Sequence, residues 1–439
     1  MADGVVSPLF LEQGSSHMDI FHRARNLGDK LGAGLITGAA DDDPSGIATY
    51  SQAGAQFGGG LLWTMILTTP LMIGIQMVSA RIGWITGKGL AANILQVMPR
   101  WVGVALVMLL LLANTLNIAA DIAAMSEALQ LMTGSREHGY TVVFGLVCAV
   151  LPVWLDFDRM VRVLKWLTLA LFAYVAVVMM LRVDWQQVGF DSIYYLRTGD
   201  GEYWMMVVAV LGTTISPYLF FWQASQEAES RQKHKTVETI ARSDVFTREH
   251  LFRIKMDTMA GMIFSNVIAF CIILAAAIAF HQRGITDIET TRQAALALEP
   301  IAGQFAFILF ASGIIGTGML AVPVLAGSSA YAVAEVFQWR SGLDHSYTEA
   351  KGFYGVLISA TIIGTLIDFT DLDPIKGLLW SAVVNGVIAV PIMAVMMLLG
   401  MNRRVLGKAV LSLRHRVIGW AATLIMAFAV VAMVVHWFQ

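Results

Sequence analysis

One stretch decides how this chain of 439 residues folds: residues 38–46 read GAADDDPSG, three consecutive carboxylates followed at once by a proline. The stretch lies inside an otherwise apolar segment, residues 31–56, which is long enough to cross a bilayer as a helix. Proline lacks an amide donor and clashes with the preceding turn, so the helix is predicted to break beside Pro44. A carboxylate at membrane depth costs roughly 2.5–3.5 kcal/mol, so Asp43 requires a cation, a base or water.

A second apolar segment, residues 203–228, is interrupted in the same way. Residues 212–218 read GTTISPY, which predicts a break beside Pro217. Irregular backbone is tolerated in a membrane only where protein or a cavity receives the freed carbonyls and amides. This segment is the first of a second set of five, so the two breaks fall at equivalent positions in halves of opposite topology. That pattern is typical of transporters built from inverted repeats; the alternative is two proline kinks without functional consequence.

The composition sets the class of protein. Hydrophobic residues make up 57% of the chain and charged residues only 14%, against about 25% charged in an ordinary soluble domain. The chain is therefore predicted to be an all-α polytopic membrane protein rather than a soluble enzyme. With a net charge of −2, no nucleic-acid partner is expected. The predicted spans are residues 31–56, 61–83, 101–131, 140–156, 163–182, 203–228, 256–280, 303–337, 352–368, 377–400 and 416–438.

The basic residues predict the orientation of these eleven spans. With the N-terminus inside, 23 of the 29 Lys and Arg residues fall on the cytoplasmic side and six outside, as the positive-inside rule requires. The C-terminus is then outside, in a cell (inner) membrane, and no cleavable signal peptide is expected. The predicted organisation is a cytoplasmic tail (1–30), a first five-helix repeat (31–182), a second, inverted five-helix repeat (203–400) and an additional eleventh helix (416–438).

Polar side chains in the spans indicate a cation pathway. Asn114, Asn117 and Asp121 follow one another at i, i+3 and i+7 and so share one face of a helix. Asp121 is interpreted as a cation or pathway residue, with a structural hydrogen-bonded acid as the alternative. Whether Glu127 or Asn385 lines the pathway stays open.

The distribution of histidine and cysteine narrows the kind of cation. None of the nine histidines falls at mid-membrane, which argues against a zinc or copper site and against an intramembrane metalloprotease. Cys148 and Cys271 both lie in apolar helices and are interpreted as small core residues. The remaining donors are hard oxygens: carboxylates, freed carbonyls, water and the hydroxyls of Thr213, Thr214 and Ser216. Such donors suit Mg²⁺, Ca²⁺ or Mn²⁺, and no resident cofactor is expected.

Several motifs resemble the natural resistance-associated macrophage protein (NRAMP) family of divalent-metal transporters. They are DPSGIAT at 43–49, QAGAQFG at 52–58, LW at 62–63, RIGWITGK at 81–88 and ADIA at 120–123; the likeness weakens in spans 7 to 11. The resemblance implies a LeuT-type fold with the metal between helices 1 and 6. It also implies that Asp43 is a carboxylate ligand and that Ala40 and Thr213 offer backbone carbonyls.

The departures from the family pattern concern the ligands themselves. The family's first-helix asparagine is Gly46 here, and its sixth-helix Met-Pro-His is Ser216-Pro217-Tyr218. Two further family acids are replaced by Asn114 and Ala124, which leaves Asp121. These changes resemble the NRAMP-related magnesium transporter branch, whose ion is thought to keep much of its hydration and to move without obligatory proton coupling. Gly46 and Ser216 would then leave a wider pocket that accepts water.

Three functions remain open at this point. The first is a divalent cation transporter with Mg²⁺ and Mn²⁺ as substrates and without obligatory proton coupling. The second is a proton-coupled Mn²⁺/Fe²⁺ symporter of the ordinary NRAMP type, and the third is a Na⁺-coupled organic-solute carrier on the same fold. The expected partners are divalent metal ions and the lipid bilayer, and the sequence does not indicate an oligomeric state.

Overall fold

The computed structural model describes residues 33–134, 139–154, 169–181, 183–198, 200–237, 244–288, 290–299, 303–369 and 374–438. The predicted cytoplasmic tail, residues 1–30, lies outside these ranges. The described residues form seventeen α-helices and several short 3₁₀ turns. The helices are α1 (Ala33–Asp41), α2 (Pro44–Phe57), α3 (Leu62–Thr86), α4 (Leu90–Val97), α5 (Arg100–Thr133), α6 (Gly139–Trp154), α7 (Phe172–Met180), α8 (Trp185–Thr198), α9 (Gly201–Thr214), α10 (Pro217–Val237), α11 (Asp244–Ala279), α12 (Thr291–Ala295), α13 (Ala306–Phe337), α14 (Lys351–Ile367), α15 (Pro374–Met401), α16 (Arg403–Leu406) and α17 (Leu413–Trp437).

The all-helical prediction is confirmed. Among the described residues, seven helical stretches are long and apolar enough to cross a membrane. An eighth crossing is counted if α7 and the start of α8, which meet at 109°, form one span. Helices α6 and α14 are apolar but shorter. Each of the eleven predicted spans coincides with helix in the described ranges, while the count of eleven crossings stays a prediction.

Helix α8 lies where the sequence predicted an outer loop. Its polar residues, among them Gln187 and Asp191, keep it below the hydropathy of a span. Phe190 and Ile193 are nevertheless 65% and 63% exposed, so apolar side chains remain on the surface of the helix. Such a helix suits a position at a membrane interface rather than across the membrane.

Both predicted breaks are present. Helix α1 ends at Asp41 and α2 begins at Pro44; between them Asp43 has extended backbone with φ −69° and ψ 169°. Helix α9 ends at Thr214 and α10 begins at Pro217. In each case the proline starts the following helix, where its missing amide hydrogen removes no intrahelical bond.

Glycines let the broken helices approach their neighbours closely. A Cβ atom at Gly38 of α1 would overlap the backbone of Gly261 in α11. A Cβ atom at Gly212 of α9 would likewise overlap the backbone of Ala382 and Gly386 in α15. The ends of both broken helices are therefore held against continuous helices by backbone contact, which positions the breaks.

Candidate metal centre

The two helix breaks meet in the interior. The hydroxyl of Tyr218, at the start of α10, donates to the carbonyl oxygen of Ala40 in α1 at 2.9 Å. On the other side of the break, the position of a Cβ atom on Gly46 lies 3.2 Å from Thr213 Oγ1. The four half-helices therefore converge on a small region around residues 40–46 and 213–218.

Asp43 stands at the centre of this region and is only 2% exposed. Its Oδ1 accepts the amide hydrogen of Gly46 at 2.7 Å and thereby caps α2. Its Oδ2 accepts a hydrogen bond from Asn117 Nδ2 on α5 at 3.2 Å. These two donors hold the carboxylate in one orientation and connect α5 to the first break.

The other two acids of the DDD run are buried beside α11. Asp41 is 0% exposed and Asp42 is 1% exposed. The Ser265 hydroxyl of α11 lies 2.6 Å from Asp41 Oδ2 and 3.0 Å from Asp42 Oδ1. The remaining oxygens, Asp41 Oδ1 and Asp42 Oδ2, have no hydrogen-bond partner among the described residues. The sequence showed these acids but gave no reason to place them in the site, because Ser265 is more than 220 residues away.

Asp121 on α5 is the fourth buried carboxylate. It is 0% exposed and faces the start of α2, where the Ser45 backbone amide is its hydrogen-bond donor. It lies within electrostatic range of Asp43. The residues of the predicted polar face of α5 have different partners. Asn114 Nδ2 lies within hydrogen-bonding distance of the Ser328 and Ser329 hydroxyls and the Leu325 carbonyl, all on α13.

The backbone carbonyls of Ala40 and Thr213, which were expected as metal ligands, each accept a hydrogen bond from a hydroxyl in this conformation. Ala40 accepts from Tyr218, as described above. Thr213 accepts from Ser216 Oγ at 2.8 Å, and the same hydroxyl lies 2.9 Å from the Gly212 carbonyl. An ion that used these carbonyls would have to displace the hydroxyls or share the oxygens with them.

The wider pocket expected at Gly46 is not open in this conformation. The position of a Cβ atom there lies 3.3 Å from the Tyr50 ring and 3.4 Å from the Asp41 carbonyl oxygen, besides Thr213. These neighbours take up the space that the missing asparagine side chain leaves. Water could enter only after Tyr50 or Thr213 moves.

The charge of the site is strongly unbalanced. Among the described residues, no Lys or Arg side chain forms an ion pair with Asp41, Asp42, Asp43 or Asp121. Several uncompensated carboxylates in a membrane interior are costly, so the arrangement requires cations or protons. The donors at hand are carboxylates, carbonyls and hydroxyls, which are hard oxygen ligands suited to Mg²⁺, Ca²⁺ and Mn²⁺.

A cavity of about 430 Å³ lies beside α2, on the C-terminal side of the first break. Ala48 and Gln52 of α2 line it, together with Glu202, Asp287 and Lys376. Gln52 bridges to the segment before α12: its Nε2 donates to the Thr286 carbonyl at 3.2 Å and its Oε1 accepts from the Ile288 amide at 2.9 Å. Gln52 therefore ties this segment to α2 beside the cavity.

The two residues that the sequence left open occupy different surroundings. Glu127 Oε2 accepts a hydrogen bond from Thr291 Oγ1 at 2.6 Å, at the start of α12. Asn385 on α15 is 1% exposed, and its Oδ1 has no hydrogen-bond partner within the described ranges. The structure thus gives Glu127 a bond to a neighbouring helix and leaves Asn385 buried with an unused acceptor.

Two interrupted helices that face each other around buried acids define a polytopic helical membrane transporter of the LeuT-type fold. The chain belongs to the natural resistance-associated macrophage protein-like (Nramp) family, whose model matches residues 34–436. It is 26% identical over 413 residues to the divalent metal cation transporter MntH of Deinococcus radiodurans, covering 90% of this chain and 87% of that protein.

Solved structures agree on the fold. A manganese transporter of Eremococcus coleocola superimposes with a TM-score of 0.73 at 16% identity, covering 98% of this chain and 90% of that one. MhsT in complex with L-phenylalanine superimposes with a TM-score of 0.58 at 13% identity, covering 93% and 98%. MntH and the manganese transporter are transporters rather than enzymes, in agreement with the class expected from composition.

Proposed function

We propose that this protein carries divalent metal cations across the cell membrane by alternating access, with Mg²⁺ accepted alongside Mn²⁺ and without obligatory proton coupling. One observation carries the proposal: four carboxylates are buried where two broken helices meet, and no basic side chain among the described residues is paired with them. The printed descriptions of MntH and of the manganese transporter support the same class of substrate.

The proposed ligands are those at the two breaks. Asp43 supplies the main negative charge, Ala40 and Thr213 supply carbonyls, Ser216 supplies a hydroxyl, and Asp121 adds a second charge. Gly46 contributes its amide to Asp43 rather than a ligand of its own. In this proposal the repeats at 31–182 and 203–400 move relative to each other and expose the site to either side in turn.

The substitutions at positions 46 and 216 support the choice of hard cations. A thioether ligand favours softer transition metals, and position 216 carries a hydroxyl instead. Mg²⁺ dehydrates reluctantly and is usually bound through one or two carboxylates together with water. Asp43 with water from a widened pocket would meet that requirement once Tyr50 moves away from Gly46.

One observation favours the proton-coupled Mn²⁺/Fe²⁺ symporter as the second candidate. Asp121 is fully buried, is not paired with a basic side chain among the described residues, and lies within electrostatic range of Asp43. An acid in such a position is suited to carry a proton when the metal binds at Asp43. The Na⁺-coupled organic-solute carrier has less support, because clustered acids repel an anionic substrate group.

Uptake into liposomes distinguishes these functions. Purified protein is reconstituted with a metal-sensitive dye and a pH-sensitive dye inside, and Mg²⁺, Mn²⁺ and Na⁺ are offered with and without a pH gradient. We expect both divalent ions to enter without acidification, and Asp43→Asn to abolish entry. Asp191→Asn is the matched control, because Asp191 lies on α8 and accepts from Gln187 at 2.6 Å on an exposed face.

Each alternative has its own result in this assay. Acidification that tracks Mn²⁺ entry, with no Mg²⁺ flux, would assign the protein to the proton-coupled symporters. Wild-type uptake by a folded Asp43→Asn variant would show that the metal site lies elsewhere. A requirement for Na⁺ would support the third function.

A further inference from the structure

Helix α8 changes direction sharply relative to the helix before it. It follows α7 after a bend of 109°, and α7 lies in the predicted span at 163–182. A helix nearly perpendicular to a spanning helix runs along the plane of the membrane. At its other end α8 is followed by α9, which begins a helical stretch long and apolar enough to cross a bilayer. Helix α8 therefore lies at the level of the membrane surface, where one spanning segment ends and the next begins.

One side of α8 exposes a row of large apolar and aromatic side chains. At about 100° per residue, five such side chains fall within one half of the helix circumference, together with Gln186. These five are 51–65% exposed: Trp185, Phe190, Ile193, Tyr194 and Leu196. On the adjoining flank, Gln187 and Asp191 form an exposed hydrogen bond of 2.6 Å. An apolar side rich in aromatic residues beside a polar flank is typical of helices that lie in a membrane interface.

The opposite side of α8 fits against the glycine turn that follows α2. Ser192 Oγ donates to the Gly59 carbonyl oxygen at 2.9 Å. A Cβ atom on Gly59 would lie 3.1 Å from the Val188 Cα atom, and a Cβ atom on Gly60 would overlap the Tyr195 ring. The absence of side chains on these glycines therefore lets α8 lie directly on the turn.

The same side of α8 contacts the last residue of α2. The Tyr195 ring meets the Phe57 ring edge-on, with the ring centroids 5.5 Å apart. Helix α2 has 14 residues and is about 21 Å long, and Asp43 caps its other end through the Gly46 amide. Helix α8 therefore holds one end of the helix whose opposite end lies at the first break.

We propose that α8 anchors α2 to the surface of the bilayer. Its apolar side lies between the lipid headgroups and the acyl chains, and its opposite side holds the turn at 58–60. The lipid is chosen as the partner because the exposed apolar surface continues from α7, where Met179 and Met180 are 82% and 66% exposed. A surface continuous with the outer side of a span is covered by the same lipid. The anchor requires a membrane protein of this fold but does not rest on the proposed function.

A fluorescent probe at single positions of α8 tests where each side lies. Cysteine is introduced as Ile193→Cys on the apolar side or as Gln187→Cys on the polar flank, is labelled with the environment-sensitive fluorophore NBD, and the full-length protein is reconstituted in phosphatidylcholine liposomes. The parent protein provides the labelling blank, because Cys148 and Cys271 are both buried. We expect lipids with brominated acyl chains to quench the Ile193 probe, and aqueous iodide to quench the Gln187 probe.

Two results of this measurement would overturn the proposal. Equal quenching of both probes by iodide would place the apolar side of α8 in water. Emission of the Ile193 probe at short wavelength without quenching by brominated lipids would assign this side to a protein partner, such as a second copy of the chain.

Hydrogen exchange in the same liposomes tests whether α8 holds α2. Gly60→Ala and Ser192→Ala each disturb the contact, so the amides of residues 54–58 should exchange roughly tenfold faster, as expected for an overpacking cost near 1.4 kcal/mol in Gly60→Ala. Gly189→Ala is the matched control, because Gly189 lies on α8 with open space around an added Cβ atom, and exchange should not become faster. Circular dichroism establishes that each variant is folded. Unchanged exchange in both folded variants of the contact would show that α2 is held without α8.

Discussion

Replacing Tyr218 with phenylalanine removes one hydroxyl from the point where the two broken helices meet. That hydroxyl donates to the Ala40 carbonyl at 2.9 Å, and both residues are 0% exposed. Water cannot easily replace a buried donor, so the carbonyl loses its partner. Leaving a buried polar group unsatisfied costs about 1–3 kcal/mol. We therefore expect Tyr218→Phe to lower the free energy of unfolding of the metal-free protein by about 1–2 kcal/mol.

The same change should strengthen metal binding if Ala40 is a ligand. In the wild type, an ion that takes the Ala40 carbonyl must break the bond to Tyr218, which costs about 1 kcal/mol net. The variant has no such bond to break. Because about 1.4 kcal/mol corresponds to a factor of ten in affinity, the Kd for Mn²⁺ should fall roughly fivefold.

Calorimetric titration with Mn²⁺ measures the Kd, and thermal unfolding of the metal-free protein measures the stability. Tyr140→Phe is the control, because the Tyr140 hydroxyl donates to Thr133 Oγ1 at 3.1 Å on an exposed surface; it should change neither quantity by much. An unchanged Kd in Tyr218→Phe would show that the metal does not use the Ala40 carbonyl. A weaker Kd would show that the hydroxyl supports the nearby Asp43 carboxylate instead.

Three further predictions address selectivity, packing and access. Gly46→Asn combined with Ser216→Met should shift liposome uptake from Mg²⁺ toward Mn²⁺. The double change should also lower the stability by about 1–3 kcal/mol, because Thr213 and Tyr50 must move to make room for the asparagine. An unchanged preference between the two ions would contradict the proposed ligands. Gly212→Val should lower the free energy of unfolding by about 1–3 kcal/mol, because the added side chain would meet the α15 backbone. Gly355→Ala is the control and should have a small effect in thermal unfolding, because a Cβ atom at Gly355 has open space around it. Equal effects of the two changes would refute the packing argument. Gln52→Ala should speed hydrogen exchange of the Ile288 amide, whose acceptor it removes, relative to Gln56→Ala; equal rates in both variants would show that the amide is protected by another group.

Local physical rules predicted the breaks and two of the acids. The effect of proline on a helix depends only on its own ring and the preceding turn, so Pro44 and Pro217 marked both interruptions. The cost of a charge in a membrane likewise belongs to the residue itself. For that reason Asp43 and Asp121 were identified as candidate site residues, and the structure buries both.

The partners of these acids come from distant parts of the chain. Ser265 reaches Asp41 across 224 positions, and Tyr218 reaches Ala40 across 178. Neither pairing follows from a local pattern, because each depends on which faces of the helices meet after folding. The contact between Cys148 Sγ on α6 and Met319 Sδ on α13, at 3.8 Å, could not be predicted from the sequence for the same reason.

The residue that breaks a helix and the residue that decides whether the freed carbonyls can bind an ion are therefore different residues. A proline break frees carbonyls in any sequence, but a nearby hydroxyl decides whether they face an ion or a hydrogen-bond donor. In this chain Tyr218 and Ser216 occupy the two carbonyls that the family resemblance assigned to the metal. Both hydroxyls stand in positions where the family carries a histidine and a methionine, so the substitutions change more than the donor at one position. Under the proposed function, these hydroxyls would compete with the cation for the two carbonyls, and the charge of Asp43 would then be the dominant attraction.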